Sequence, residues 1–124
     1  MRRLSITIND IELKAILFDT PTAEAIYNVL PINGYAQKWG DEIYFSIPVK
    51  MDEEAYAREE VEVGDLAFWP VGSAFCIFFG KTPVSRDNKP RAYSPVNVFG
   101  KIEGNLDVLK NVNSQSLVQV EKLM

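Results

Sequence analysis

The sequence of 124 residues contains no histidine, and its single cysteine is Cys76. Histidine is the usual general base at neutral pH and a frequent metal ligand, so its absence excludes Ser-His-Asp and Cys-His catalytic arrangements. A single cysteine cannot form an intramolecular disulfide bond, and nothing marks the chain as an oxidised, secreted scaffold. We therefore expect a reducing, cytoplasmic location.

Glycine-rich nucleotide-binding loops are also missing. The seven glycines are scattered, and neither GxxxxGK[ST] nor GxGxxG occurs. The acidic run from Asp52 to Glu54 contains potential metal ligands, but a short acidic run in a polar stretch is typical of a solvated surface. We expect no cofactor and no metal site.

The charge and the hydropathy of the chain argue against two further kinds of partner. A net charge of −4 and a pI near 4.8 disfavour nucleic acid, because phosphate binding needs a concentrated basic surface. No apolar run approaches the roughly 20 residues of a membrane span, and no apolar stretch of signal-peptide length follows the two N-terminal arginines. We expect neither a nucleic-acid nor a membrane partner, and the oligomeric state is left open.

The patterns that are present predict a single domain over residues 1–124, built mainly from short strands. Alternation over 4–8 and 12–17 around Asn9-Asp10 predicts an opening hairpin. A helix is predicted over 21–30, with Thr20 as its cap and Pro21 in its first turn. Further strands are predicted at 34–39, 42–49, 66–69, 74–79, 96–102 and 117–120, and a second helix at 106–112. The segment 51–62 is predicted to be a solvated connection. The segment 84–95 is predicted to be a long loop that serves a site or a partner.

Eight strands with only two helices cannot cover a large open parallel sheet. Closure into a barrel removes the exposed sheet edges. The predicted fold is therefore all-β, a closed antiparallel barrel of eight strands capped by two short helices. Either Phe75, Ile77 and Phe79 or their alternate neighbours are expected to fill its interior, because successive strand residues face opposite sides.

A family resemblance is carried by the segment SAFCIFFGKTP and, after a loop, by VNVFGKIEGNLDVLKNV and SLVQVEK. This half of the chain resembles the C-terminal part of cyclophilins, and the order of elements extends the resemblance toward the N-terminus. WGDEIYFSIPV and VGDLAFWPVGSAFCIFFGKTP are more similar to a small prokaryotic cyclophilin-like family whose biochemical role is not established. The resemblance implies a cyclophilin-like barrel with a binding groove on its outer face.

Cyclophilins use an arginine on the third strand to assist rotation about prolyl bonds, and the resemblance assigns Gln37 to that position. Lys38 cannot replace the arginine, because neighbouring strand residues face opposite sides. The resemblance also assigns groove positions to Pro70 and Val96, and Tyr93 belongs to a group of tyrosines suited to a half-exposed wall. The ligand-binding residues expected on these grounds are Gln37, Tyr44, Ser46, Trp69, Cys76 and Tyr93.

Structural interpretations of these residues stay open beside the functional ones. A free cysteine within an apolar strand most often only packs, and tryptophans on a strand more often belong to a core than to a binding platform. Arg86, Lys89 and Arg91 form the densest positive charge of the chain, and they could either be solvated or position an anionic ligand. Trp39 is expected to lie outside the groove.

Two functional classes follow. The first is a module that binds a peptide or a small molecule in the outer groove without efficient prolyl isomerase activity. The alternative is an enzyme, either a peptidyl-prolyl cis-trans isomerase with an atypical site or a catalyst of another reaction that uses Gln37, Tyr44 and Glu42. Isomerisation needs neither a nucleophile nor a proton transfer, so the missing histidine does not exclude it. A structural role as a subunit joined through the 84–95 loop is the third possibility.

Overall fold

The computed structural model describes residues 2–123, which form a mainly β structure with ten strands, one α-helix and one short 3-10 helix. The strands are β1 (Arg3–Ile8), β2 (Ile11–Leu17), β3 (Ile32–Tyr35), β4 (Gln37–Lys38), β5 (Glu42–Ser46), β6 (Arg58–Glu60), β7 (Asp65–Trp69), β8 (Ala74–Phe78), β9 (Arg91–Glu103) and β10 (Leu117–Leu123). The α-helix, α1, spans Pro21–Val29, and the 3-10 helix spans Asp107–Asn111.

The strands belong to one antiparallel sheet in the order β3-β10-β1-β2-β9-β7-β8-β5-β4, and β6 pairs with β9 beside this path. The prediction of a mainly β, antiparallel fold is confirmed, whereas the closed barrel of eight strands is not. Ten strands are present, and the hydrogen-bonded ladder is open between β3 and β4. Only Ala36 separates these two strands in the chain, so one continuous segment pairs with β10 at one end of the sheet and with β5 at the other.

The two helical segments differ in kind. α1 begins as predicted, with the Thr20 hydroxyl accepting a hydrogen bond from the Ala23 N–H at 3.1 Å, and it ends before the cis Leu30–Pro31 peptide bond. The predicted second helix is a single 3-10 segment. Both pack on the main core through buried apolar side chains. Within residues 2–123, no helix has the length and apolar character needed to cross a membrane.

The main core lies on the inner face of the sheet. Phe75 is fully buried there, with its ring stacked on Phe45 at 5.1 Å between centroids and edge-on to Phe99 at 5.2 Å. Ile77 and Phe79 belong to the same cluster, so of the two predicted alternatives it is the face with Phe75, Ile77 and Phe79 that points inward. The alternate residues of β8 belong to a second, smaller apolar cluster on the outer face, composed of Val61, Ala67, Ala74, Cys76, Phe78, Ala92, Val96 and Val98.

Two segments predicted as irregular are more ordered than expected. β9 begins at Arg91, so the predicted 84–95 loop is a loop only up to Pro90 and its last residues form strand. Within the 51–62 connection, β6 pairs with the first half of β9.

The same connection is anchored to the sheet by the fully buried Asn97. The side-chain oxygen of Asn97 accepts from the Glu54 N–H at 2.9 Å, and its amide nitrogen donates to the Asp52 carbonyl at 3.0 Å. These bonds tie two backbone groups of the connection to a buried side chain of the sheet.

Candidate functional site

The register of the strands brings three of the predicted site residues into one row. Gln37 on β4 lies opposite Tyr44 on β5, and Tyr44 lies opposite Cys76 on β8. Directly opposed residues of antiparallel strands project from the same face of the sheet. Gln37 is exposed, Tyr44 is half-buried and Cys76 is fully buried, so the row runs from the edge of the sheet into the outer cluster.

The next row contains two more predicted residues. Ser46 on β5 and Trp69 on β7 both lie opposite Ala74 on β8. Ser46 is exposed, and Trp69 is half-buried. Tyr93, on β9, is 71% exposed and reaches the same face through its contact with Trp69.

A pocket of ≈ 200 Å³ opens on this face. Four aromatic side chains line it, Trp39, Tyr44, Trp69 and Tyr93, together with Glu42, Ala92 and Val96. We call these seven residues the aromatic pocket. It includes three of the six predicted site residues, Tyr44, Trp69 and Tyr93, whereas Gln37, Ser46 and Cys76 are not part of its wall.

The aromatic side chains are held in a defined arrangement. The ring of Tyr93 contacts Trp39 and Trp69 edge-on, with centroid distances of 6.1 and 6.2 Å. The indole N–H of Trp69 donates to the Ser94 hydroxyl at 2.6 Å. Gly72 approaches the other side of this indole so closely that a Cβ at that position would lie 2.7 Å from the ring carbon Cε3. Trp69 is therefore fixed on two sides.

Glu42 supplies the carboxyl group of the pocket. A tight turn through Gly40, whose φ is +60°, brings Glu42 beside Trp39, and the two residues exchange backbone hydrogen bonds of 3.0 and 3.2 Å. The side chain is only 7% exposed. Burial raises the pKa of Glu42 from 4.5 to about 7, and a hydrogen bond from the Cys76 thiol partly opposes that rise. The carboxyl group thus changes charge close to neutral pH.

Cys76 lies beneath the pocket within the outer cluster. Its thiol is within reach of the Ala74 carbonyl, at 3.8 Å, and of the Glu42 carboxyl. Burial and the nearby Glu42 charge raise the pKa of this thiol well above its usual value. A thiol that remains protonated is a poor nucleophile, so the position of Cys76 favours the packing interpretation over a reactive role.

Two of the three positive charges of the 84–95 region, those of Lys89 and Arg91, are compensated by carboxylates. The guanidinium of Arg91 pairs with Glu59, and the ammonium of Lys89 lies 3.1 Å from Glu62. These pairings weaken the expectation that the region positions an anionic ligand. The Lys38 ammonium donates to the Lys110 carbonyl at 3.4 Å, which directs it away from the pocket.

Glu42 and Ala92 line the pocket without being among the predicted ligand-binding residues, and Trp39 lies in its wall against expectation. Glu42 was named only in the alternative enzyme and Ala92 not at all, while Trp39 was expected outside the groove, which is wrong. The signal for Glu42 was its spacing of two from Tyr44, which puts both on one face of β5. Val96, assigned to a groove by the resemblance, does line the pocket.

Among residues 2–123, no group of three or more acidic or cysteine side chains is arranged to hold a metal ion.

Comparisons with known proteins agree with this architecture. A family model described as Cyclophilin-like matches residues 2–121. The chain is 42% identical to a hypothetical protein of Archaeoglobus fulgidus whose solution structure is known; the match covers 98% of this chain and 95% of that one, with a TM-score of 0.83. No curated protein matches the sequence significantly. The chain therefore belongs to the cyclophilin-like family.

Proposed function

We propose that this chain is a binding module that holds part of a peptide or a small molecule in the aromatic pocket, without efficient prolyl isomerase activity. The observation that carries the proposal is the convergence of two tryptophans and two tyrosines on an open pocket. Tyr93, which contacts both tryptophans, is mostly exposed. Aromatic side chains that remain accessible in this way are typical of binding surfaces, because they offer a large contact area at a small cost in conformational entropy.

The size of the pocket limits what it can hold. Sites for drug-sized ligands usually enclose roughly 300–1,000 Å³. The aromatic pocket, at ≈ 200 Å³, is smaller. It suits a single side chain or the head group of a small molecule, with the rest of the ligand lying outside along the exposed rim.

Weak or absent prolyl isomerase activity follows from the charges around the pocket. Gln37 occupies the position that the resemblance assigns to the catalytic arginine, and it does not line the pocket. No lysine or arginine is among the described residues that do. The guanidinium of Arg58, on the neighbouring β6, is not part of the pocket wall, and it lies 3.7 Å from the buried Asp65 carboxylate. A rotating X-Pro amide would find no cation placed to stabilise it.

The binding function is tested by a pair of exposed tyrosines. Tyr93 lines the pocket, whereas Tyr35 is comparably exposed on β3 and does not. Compounds that raise the melting temperature should bind the folded state. Their affinity should fall by roughly 1–3 kcal/mol in Tyr93→Ala and in Trp69→Ala, the usual scale for a stacked aromatic contact, and stay unchanged in Tyr35→Ala. If a ligand binds with unchanged affinity to all three variants, the aromatic pocket is not its binding site.

The isomerase alternative is tested with a series of Xaa-Pro peptides. Exchange NMR or a protease-coupled assay should give rates far below those of a catalytic cyclophilin. A robust rate that survives Gln37→Ala and disappears in Tyr44→Phe would replace the binding proposal with an atypical enzyme whose chemistry depends on Tyr44.

A further inference from the structure

The charge inside the aromatic pocket has one sign. Among the described residues that line it, Glu42 carries the only carboxyl group, and no basic side chain accompanies it. Within residues 2–123, Glu42 also makes no ion pair. Buried carboxylates are normally paired with a cation or bound by several hydrogen-bond donors. Glu42 has only the Cys76 thiol as a side-chain partner.

The walls around this carboxyl group are suited to a positive charge. The faces of aromatic rings carry negative potential and attract cations, and rings that enclose a cation-sized space favour alkylated ammonium groups, which are weakly hydrated. Four aromatic side chains surround the pocket that contains Glu42. An anion would meet both the carboxylate and the ring faces unfavourably, and a neutral ligand would leave the negative charge of the carboxylate uncompensated.

We infer that the aromatic pocket binds an alkylammonium head group, with the Glu42 carboxylate as its counter-ion and the surrounding aromatic rings as its walls. This inference rests on the proposed binding function and specifies the chemistry of the ligand. The head group can belong to a free small molecule or to a methylated lysine side chain, since both present the same cation.

Protonation of Glu42 then becomes linked to binding. The pKa of Glu42 is about 7 in the unliganded protein, and a bound cation favours the ionised form. Affinity for a permanent cation should therefore rise as the pH increases through about 7 and level off above it. The other titratable groups that face the carboxyl are the Cys76 thiol from β8 and the Tyr44 and Tyr93 phenols. The pKa of the Cys76 thiol is raised well above its usual value, so this thiol stays protonated in this range.

The experiment compares two probes of nearly the same shape. Choline carries a quaternary ammonium group, and 3,3-dimethylbutan-1-ol replaces its nitrogen with carbon. The only two tryptophans of the sequence, Trp39 and Trp69, both line the pocket, so intrinsic tryptophan fluorescence reports its occupancy. We expect choline to bind more tightly than the alcohol by about tenfold, which corresponds to about 1.4 kcal/mol.

Two variants and one pH series test the role of the carboxylate. Glu42→Gln should reduce the preference for choline, with only the attraction of the aromatic rings left, and Glu121→Gln, the same change at an exposed position of β10, should keep the full preference. The pH dependence in the unmodified protein gives the same information without a variant, because only choline affinity should increase through about pH 7. An undiminished preference in folded Glu42→Gln, or a choline affinity that is flat with pH, overturns the inference.

The outcomes also separate this inference from the binding function. If the alcohol binds as well as choline, the ammonium assignment is wrong and the pocket remains a binding site. If neither probe binds while other compounds bind in a Tyr93-dependent manner, the inference fails and the proposed function stands. If no compound binds, both fail. The affinity of a peptide containing trimethyllysine is compared with that of choline. A higher affinity of the peptide points to a methylated lysine, and a lower affinity points to a free small molecule. Either result supports the inference.

Discussion

Replacing Glu42 with glutamine removes a buried carboxylate and leaves the shape of the side chain almost unchanged. Burial raises the pKa of Glu42 from 4.5 to about 7 in the folded protein, which corresponds to about 3 kcal/mol at about 1.4 kcal/mol per unit. Because the folded state holds this proton more tightly than the unfolded state, the contribution to stability is fully present below about pH 4.5. It is lost as the pH rises through about 7.

The expected result is a change in the pH profile of stability. The unmodified protein should lose about 3 kcal/mol between about pH 4 and about pH 8 from this group, whereas Glu42→Gln should lack this component. Above about pH 7 the variant should therefore be the more stable of the two. Urea unfolding at a series of pH values measures the difference, and equal m-values show that the unfolded states are comparable. Glu121→Gln, exposed on β10, is the control and should retain the slope.

Parallel profiles for the unmodified protein and Glu42→Gln would refute this reasoning. They would mean that the Glu42 carboxyl is better solvated through the mouth of the pocket than its 7% exposure indicates. The same result would weaken the case for a desolvated counter-ion.

Three further substitutions test the packing around the site. Asn97→Ala should cost about 1–3 kcal/mol, because it removes the side-chain hydrogen bonds that hold the connection to the sheet, and should speed hydrogen exchange at the Glu54 amide; an unchanged exchange rate would argue against the anchor. Phe75→Ala should cost about 3–5 kcal/mol in chemical denaturation, and a loss below about 1 kcal/mol would contradict the stacked core. Gly72→Ala should displace the Trp69 indole and shift the tryptophan emission, and an unshifted spectrum in a folded variant would show that the ring has room to move.

Much of the fold could be predicted because local patterns and tertiary packing agree. The opening hairpin, the Thr20-capped helix and the alternation of β8 all depend on signals that lie close together in the sequence. The extent of β9 could not be predicted in the same way. Its first half, from Arg91, pairs with β6, a strand of three polar residues that has no apolar periodicity. Such a strand exists only because its partner is present, so its own sequence contains little signal.

The pocket was predictable in part for a similar reason. Side chains alternate between the two faces of β5, which is a local property of the strand. The sequence therefore predicts that Tyr44 and Glu42 lie on the same face, and both line the pocket. The contribution of Trp39 depends on how the chain turns at Gly40, and that of Ala92 depends on the path of β9 across the sheet. The raised pKa of Glu42 likewise needs the surrounding apolar cluster, which strands distant in sequence assemble.

The segment that supplies both ends of the sheet also determines how much free strand edge the fold exposes. Free strand edges are templates on which another chain can add a strand. Here the two terminal strands of the ladder, β3 and β4, contain four and two residues, and Ala36 interrupts them. The third edge, β6, has three residues, all of them charged. The free edge is thus divided into short or charged pieces, and each of them offers an incoming strand few consecutive hydrogen-bonding groups.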